Sequence, residues 1–170
     1  MAYIKERTIT KEFTFDYATV TAQGKPTRVT RGASEAWSLP IYDSDDEELF
    51  TCSCIPYDWN GVDNITFILG GWLTNANTDK NFNLQVSVDC YGHGDTVGTT
   101  TYDIPIETAT GTASQYQFFT IEFPFDAVSA GCAAVNAMAI RVRRLAASEN
   151  EITGEFAVKG LGMVYTNKII

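Results

Sequence analysis

The feature that most constrains this fold is a series of segments with strand-like patterning, of which FNLQVSVDCY is the clearest. In it, apolar residues occupy every second position: Phe82, Leu84, Val86, Val88 and Cys90. Successive side chains of a strand point to opposite faces, so this pattern predicts a strand with one face in a core. Seven further segments are predicted as strands: AWSLPIY (36–42), ELFTCSCI (48–55), NITFILGGWL (64–73), TTYDIPI (100–106), YQFFTIEF (116–123), AMAIRVRRL (137–145) and GEFAVKGLGMVYT (154–166).

Turn-forming clusters such as DSDDE, NANTDKN, GHGD and ASENE separate these segments. About eight strands joined by polar turns predict an all-β fold, an antiparallel β-sandwich or jelly roll. The stretch FDAVSAGCAAVNAMA, residues 125–139, is rich in alanine but interrupted by glycine. It therefore predicts at most a short turn of helix.

The first 35 residues are predicted to form an extended N-terminal arm and linker. The segment TITKEFTFDYATVT (8–21) alternates imperfectly and predicts an extended arm or an edge strand. The polar segment AQGKPTRVTRGASE (22–35) contains Gly and Pro and predicts a loop or linker. We therefore expect an arm over residues 1–35 and a jelly-roll sandwich over residues 36–170.

Charge is unevenly distributed along the chain, whose formal net charge is −9 over 170 residues. Residues 1–31 hold six basic and three acidic residues, net +3, which leaves −12 for the remainder. The acidic total argues against a nucleic acid partner, and a basic arm on an acidic body suggests two different contact surfaces. The partner-binding residues predicted in the arm are Lys5, Arg7, Lys11, Phe13, Phe15, Tyr17, Arg28 and Arg31.

Targeting signals are not expected from this sequence. The start, MAYIKERTITKEF, has no apolar core of a secretory signal, and no apolar run approaches the ~18 residues of a membrane span. The cysteines are Cys52, Cys54, Cys90 and Cys132, with one histidine and no CxxC pair. This composition predicts buried free thiols in a reducing cytoplasm and no metal site.

Three patterns that contain acidic residues are candidate sites. The run DSDDEE (43–48) lacks the spaced oxygens and glycine of a calcium loop, which favours a solvated acidic turn. In YGHGD (91–95), His93 and Asp95 resemble an acid–base pair, but no nucleophile accompanies them and a chain reversal is favoured. A glycosidase carboxylate pair stays possible, although no acid stands out. We expect no catalytic residue and no cofactor.

Aromatic and arginine residues supply two more candidates. An exposed aromatic set would form a sugar-stacking platform, but Trp72 is expected in the core and Trp59 over the sandwich end. The set is Trp37, Trp59, Trp72, Tyr57, Tyr91, Tyr102 and Tyr116. In RVRR, Arg141 and Arg143 share one strand face and Arg144 lies opposite. These cations are expected to pair with Glu149 or Glu151, or to bind a neighbouring subunit.

The order of these segments resembles a known group of proteins. An apolar strand ends in proline and is followed by DWNG, a strand ending in Trp72, FNLQVSVDCYGHGD, and finally IRVRRLAASENEITGEFAVKGLGMVYT. Over residues 48–166 this resembles tailed-phage virion proteins with jelly-roll folds, which decorate heads or form fibre bases. Asp58 and Gly61 match the motif and are implied in turn formation, with Asp58 expected to bond backbone two residues on.

The resemblance implies a head-decoration or cement subunit, made in the host cytoplasm and placed on the virion surface. Its partners would be the major capsid protein or other virion proteins, and it would assemble as a homo-oligomer, a trimer, without nucleic acid or membrane. The alternative is a carbohydrate-binding or host-adhesion module of a fibre or tail, with Trp37, Trp59 or Tyr91 exposed on one face. An enzyme is disfavoured, because cupin-type sites need several histidines.

Overall fold

The structure is a computed structural model that describes residues 8–13, 27–39, 48–98 and 100–168. Within these ranges the chain forms strands and no helix. The strands are β1 (Thr8–Phe13), β2 (Thr27–Arg31), β3 (Ser34–Leu39), β4 (Glu48–Cys54), β5 (Ile65–Leu73), β6 (Asn77–Thr78), β7 (Asn81–Tyr91), β8 (Thr101–Ala109), β9 (Thr112–Ala113), β10 (Phe118–Phe125), β11 (Ala137–Leu145) and β12 (Phe156–Thr166).

Two antiparallel sheets pack against each other. The six-stranded sheet has the order β10-β5-β12-β3-β2, with β1 also paired to β12. The four-stranded sheet has the order β4-β11-β7-β8, and β6 pairs with β9 in a small separate ribbon. The prediction of an all-β antiparallel sandwich of the jelly-roll type is confirmed.

The core lies between the two sheets, where the alternating positions meet. Phe82, Leu84, Val86 and Val88 of β7 are fully buried, as their period of two predicts. The Phe82 ring stacks on that of Phe156 from β12, with 4.9 Å between centroids. Each such side chain contributes roughly 1.5–3 kcal/mol through burial, so this face fixes the register of β7.

The glycine pair in ITFILGGW has a packing reason. Gly71 lies on the inner face of β5, where a Cβ would overlap the Phe156 ring and the Ala157 carbonyl. Gly70 lies on the outer face, where the Phe118 ring comes within 2.8 Å of an ideal Cβ position. The absence of side chains therefore lets β12 and the Phe118 ring approach β5 closely.

The N-terminal segments join the six-stranded sheet where the structure describes them. β1 pairs with β12 from Thr8↔Thr166 to Phe13↔Leu161, so residues 8–13 form a strand. β2 and β3 pair as a hairpin over residues 27–39, so the part of the predicted loop at 27–35 is strand and turn. Polar β2 lacks apolar alternation, which is why its pairing was missed. The division at residue 35 falls inside β3, and the independence of residues 1–35 stays a prediction.

The cysteine prediction is wrong in two respects. Cys90 at the end of β7 and Cys132 form a disulfide, with 5.8 Å between their Cα atoms and 42 residues between them in sequence. Cys52 and Cys54 are free thiols as predicted, but both are exposed. They lie on the outer face of β4, at the edge of the four-stranded sheet.

In the described part of the chain, no helix is long and apolar enough to span a membrane.

Candidate functional site

Three loops meet at one end of the sandwich, which we call the loop end. They are the β4–β5 loop (55–64), the β7–β8 loop up to residue 98, and the β10–β11 loop (126–136). Of the seven large hydrophobic residues exposed in the described ranges, five lie in these loops: Tyr57, Val62, Val97, Val128 and Val135. These loops share one end of the sandwich, and a surface that presents several apolar side chains is a candidate interaction surface.

Hydrogen bonds and the disulfide hold two of these loops in place. The Ile55 N–H donates to the Asn136 carbonyl at 2.9 Å, and the Val135 N–H donates to the Ile55 carbonyl at 3.0 Å. The disulfide ties β7 to the β10–β11 loop. The β4–β5 and β10–β11 loops are therefore fixed relative to each other, and their apolar side chains are held outward.

Val135 has a strained backbone. Its φ is +66°, in the left-handed region that β-branched residues rarely adopt. Such a residue costs of order 1–3 kcal/mol. Val135 is also 68% exposed, so burial of its side chain offsets little of this cost. Strain held at an exposed position is typical of a functional site.

The segment PYDWNGVD is a closed turn that holds Tyr57 and Val62 outward. Trp59 is 2% exposed, as predicted, and its indole N–H donates to the Asp63 carbonyl at 2.9 Å. The Asn60 side chain accepts the Val62 and Asp63 N–H groups, both at 3.0 Å. This is the backbone-capping role that we predicted for Asp58.

Asp58 instead reaches across to β12. Its carboxylate accepts the Tyr165 hydroxyl at 2.8 Å, which joins the loop end to the last strand. Burial raises the pKa of Tyr165 to about 12, and the bond to the negative Asp58 adds to this shift. Nearby, the Ser129 hydroxyl and N–H hold the pKa of Asp126 below its ordinary value. Two carboxylates of the loop end, those of Asp58 and Asp126, are therefore held by neighbouring hydrogen-bond donors.

The outer face of the four-stranded sheet carries the predicted arginines. Arg141 lies 3.3 Å from Glu48 and 3.6 Å from Asp103, and Arg143 lies 3.7 Å from Glu48. The Ser87 hydroxyl accepts a bond from Arg141 at 3.1 Å. These cations are neutralised within the chain, and their role in partner binding stays a prediction. The described part of the acidic run, Glu48, is buried and paired rather than solvated.

Arg144 points into the sandwich, opposite Arg141 and Arg143 as predicted. Its side chain is fully buried, pairs with Glu151, and donates to the Gly154 carbonyl at 2.8 Å. Burial lowers the pKa of Arg144, and Glu151 opposes that shift. The predicted pairing of RVRR with Glu151 is thus found, and it belongs to Arg144.

Of the other predicted partner residues, those that the structure describes lie in the other sheet from Arg141 and Arg143. Arg28 and Arg31 lie in β2 of the other sheet, stacked over the Trp37 and Tyr116 rings at 4.8 and 4.3 Å. Lys11 and Phe13 lie in β1, beside β12. The remaining residues of the predicted arm set lie outside the described residues: Lys5, Arg7, Phe15 and Tyr17.

The remaining predicted sites are also placed by the structure. Trp72 is buried as predicted, and Trp37 and Tyr91 are half-buried, so with Trp59 they present no exposed platform. Asp95 accepts the Gly92 N–H at 2.7 Å, which closes the predicted chain reversal. In the part of the chain that the structure describes, no three His, Cys, Asp or Glu side chains are grouped to hold a metal ion.

The loop end was missed by sequence reasoning, and comparisons with known proteins do not identify it. No family model matches the chain, and no curated protein matches it. Among solved structures, it is similar to the CBM36-1 domain of a multidomain xylanase from the hindgut metagenome of Trinervitermes trinervoides. That match has 10% identity and a TM-score of 0.44, and covers 92% of this chain and 96% of that domain. A likeness at this level says nothing about function.

Proposed function

We propose that the chain is a structural subunit of a tailed-phage virion, a head-decoration protein that attaches to the capsid or to other virion proteins by its loop end. The observation that supports this proposal is the group of five exposed apolar residues on loops held by hydrogen bonds and a disulfide. The jelly-roll fold and the resemblance over residues 48–166 agree with it.

The small size of the loop end favours attachment by several copies. A stable interface buries about 800 Å² on each partner, and five side chains at a loop tip supply only part of that area. An oligomer that presents several loop ends at once gains avidity without new contacts. This argument supports attachment as an oligomer on a capsid lattice, and three copies is the number that we propose.

Charge and covalent chemistry constrain the partner and the location. Asp63, Asp95 and Asp126 lie in the same loops as the exposed apolar residues, so the proposed partner surface is apolar with a basic rim. The Cys90–Cys132 disulfide suits a protein that works outside a reducing compartment. A subunit made in the host cytoplasm and oxidised on the surface of a released virion fits this chemistry.

Sedimentation with phage heads that lack the chain tests the proposal. We expect the wild type to sediment with the heads and the Tyr57→Ser/Val62→Ser variant to remain in the supernatant. Phe118→Ser is the matched control, because Phe118 is 55% exposed and lies outside the loop end. Equal sedimentation of the loop-end variant and the wild type would contradict the proposal.

Light scattering across a dilution series tests the oligomer separately. We expect a mass of three chains that persists on dilution. A single-chain mass at every concentration would contradict the homotrimer. Each attached particle would then contact the capsid through one loop end.

A further inference from the structure

A cavity opens between two loops of the loop end, beside the disulfide. Its volume is about 310 Å³. The polar part of its lining consists of Asp95, Thr96, Thr100, Tyr102 and Asn136, and we call this space the acceptor cavity. It lies in the surface that we propose for attachment, so the ligand inferred for it rests on that proposed function.

Fixed elements form the wall of the acceptor cavity. Cys90 and Tyr102 come from the paired strands β7 and β8. Gly131 comes from the β10–β11 loop, which the disulfide ties to β7. The Asp95 carboxylate accepts the Gly92 N–H at 2.7 Å, which holds this side chain in its turn. The cavity is therefore preformed, and a ligand that enters has little of the wall to order.

The lining consists mainly of hydrogen-bond acceptors that a ligand can reach. The Asp95 carboxylate can only accept hydrogen bonds. Thr96 and Thr100 each add a hydroxyl oxygen, and Asn136 adds an amide oxygen. Asp95, Thr96 and Thr100 are exposed, so a group in the cavity can contact them. These acceptors suit a ligand with several N–H donors.

The charge of the loop end selects a cation. No lysine, arginine or histidine is among the described residues that line the cavity. The three loops of the loop end contain four aspartates, Asp58, Asp63, Asp95 and Asp126, and neither lysine nor arginine occurs in them. The local charge is therefore negative, which attracts a positive group and repels an anion.

We infer that the acceptor cavity receives an arginine side chain of the virion protein to which the loop end attaches. A guanidinium carries five N–H donors in one plane and keeps its charge, which matches acceptors on several sides of a cavity. It also stacks on aromatic rings, and Tyr102 supplies one in the lining. The volume equals about ten liquid waters at ~30 Å³ each, which is room for the guanidinium and part of its stem.

Amide chemical-shift titration tests the cavity without phage heads, with Nα-acetyl-arginine amide as the probe. We expect shifts at the amides of Asp95, Thr96 and Gly131. Nα-acetyl-citrulline amide has the same shape without the charge and should bind about tenfold more weakly. Asp95→Asn should weaken arginine binding about tenfold, because a charged acceptor is lost, while its amide oxygen can still accept the Gly92 N–H. Asp63→Asn is the matched control, at an exposed aspartate of the loop end outside the lining.

Three results of the titration would overturn the inference. One is that the arginine probe leaves these amides unshifted. Another is that the citrulline probe, or the Asp95→Asn variant with the arginine probe, binds as strongly as the wild type binds arginine. The last is that CaCl₂ at the concentration of the probe abolishes its shifts, which would assign the cavity to a metal ion.

Sedimentation with phage heads separates this inference from the proposed function. We expect Asp95→Asn to bind heads about tenfold more weakly than the wild type, and Asp63→Asn to differ by about twofold at most, as a charge at the rim. If Asp95→Asn attaches normally and Tyr57→Ser/Val62→Ser does not, the cavity inference is wrong and attachment by the loop end stands. If both attach normally, the proposed function is itself wrong.

Discussion

The loops at the two ends of the sandwich differ in their chemistry. The loop end exposes apolar side chains and holds Val135 at a strained φ of +66°. The opposite end, which we call the network end, consists of residues 74–80, 110–117 and 146–155. Of the exposed large apolar residues in the described ranges it holds one, Tyr116, which has a φ of +65°. Its polar groups bond to one another across loops that are distant in sequence.

At the network end, hydrogen bonds join side chains and backbone groups of separate loops. The Asn77 amide accepts the Thr153 N–H at 2.8 Å and donates to the Asn75 carbonyl at 3.0 Å. The Glu155 N–H donates to the Thr74 hydroxyl at 2.8 Å. Arg144 enters this network from β11 through Glu151 and Gly154.

The difference separates structural residues from residues that the fold does not need. Removing a group at the network end leaves a buried partner unsatisfied, which costs stability. Removing an exposed apolar side chain at the loop end leaves no buried partner unsatisfied. The presence of those side chains is therefore better explained by binding than by folding, and the following predictions test that division.

The largest effect is expected from removing the disulfide that holds the loop end. The bond closes a loop of 42 residues in sequence separation, and loop-closure entropy predicts a loss of about 4 kcal/mol for Cys90→Ala/Cys132→Ala. Urea unfolding without reductant measures it. The Cys52→Ser/Cys54→Ser control, at two exposed thiols, should unfold like the wild type. An unchanged urea midpoint for Cys90→Ala/Cys132→Ala would show that the β10–β11 loop is held in place without the disulfide.

The next effect lies at the network end. Arg144→Met keeps the side-chain volume but leaves Glu151 without its buried cation, so we expect a loss of about 3 kcal/mol in unfolding free energy. Arg28→Met is the control, at an arginine whose side chain is 66% exposed and lies 3.7 Å from the similarly exposed Glu35. It should cost about 1 kcal/mol or less. Equal losses would contradict the structural role of the network end.

A smaller effect is expected for the bond between Tyr165 and Asp58. Tyr165→Phe should cost about 1.5 kcal/mol at neutral pH, because a hydrogen bond to a charged acceptor is lost. The folded pKa of Tyr165 is about 12, above the unfolded value near 10. The neutral hydroxyl therefore stabilises the fold fully below pH 10, and this contribution is lost as pH rises to 12. The free energies of unfolding of the two proteins, measured with urea at several pH values, should converge between pH 10 and pH 12. A difference that stays constant over this range would contradict the raised pKa of Tyr165.

The smallest effect has the opposite sign. Val135→Asn places a residue that tolerates positive φ at the strained position, and we expect a gain of about 1 kcal/mol in unfolding free energy. Val62→Asn is the control at another exposed valine of the loop end, where no positive φ occurs. Thermal unfolding should show no gain for that control. A loss of stability for Val135→Asn would mean that the Val135 side chain is needed for folding.

Local patterns predicted most of the fold. The segment 137–145 was predicted as a strand and is β11, and 82–91 differs from β7 by one residue. Alternation is a local property, so these strands are visible in sequence. The polar hairpin of β2 and the two-residue strands β6 and β9 carry no such pattern, because tertiary pairing forms them.

The sites were less visible, for a physical reason. Tyr57, Val97 and Val135 are single apolar residues in three separate turns, and only the folded chain brings them to one end. Asp95 and Asn136 come from two separate loops, and folding places both around one cavity. The disulfide likewise joins residues 42 apart and leaves no spacing signature.

The binding of Val135→Asn to phage heads, measured beside its stability, tests the central claim most directly. If the loop end is the attachment surface, this variant unfolds at a higher temperature than the wild type and binds heads about tenfold more weakly, since it loses an apolar contact at the interface. A variant that gains stability and still binds heads as the wild type does would contradict the account, because the strained valine would then serve neither folding nor attachment.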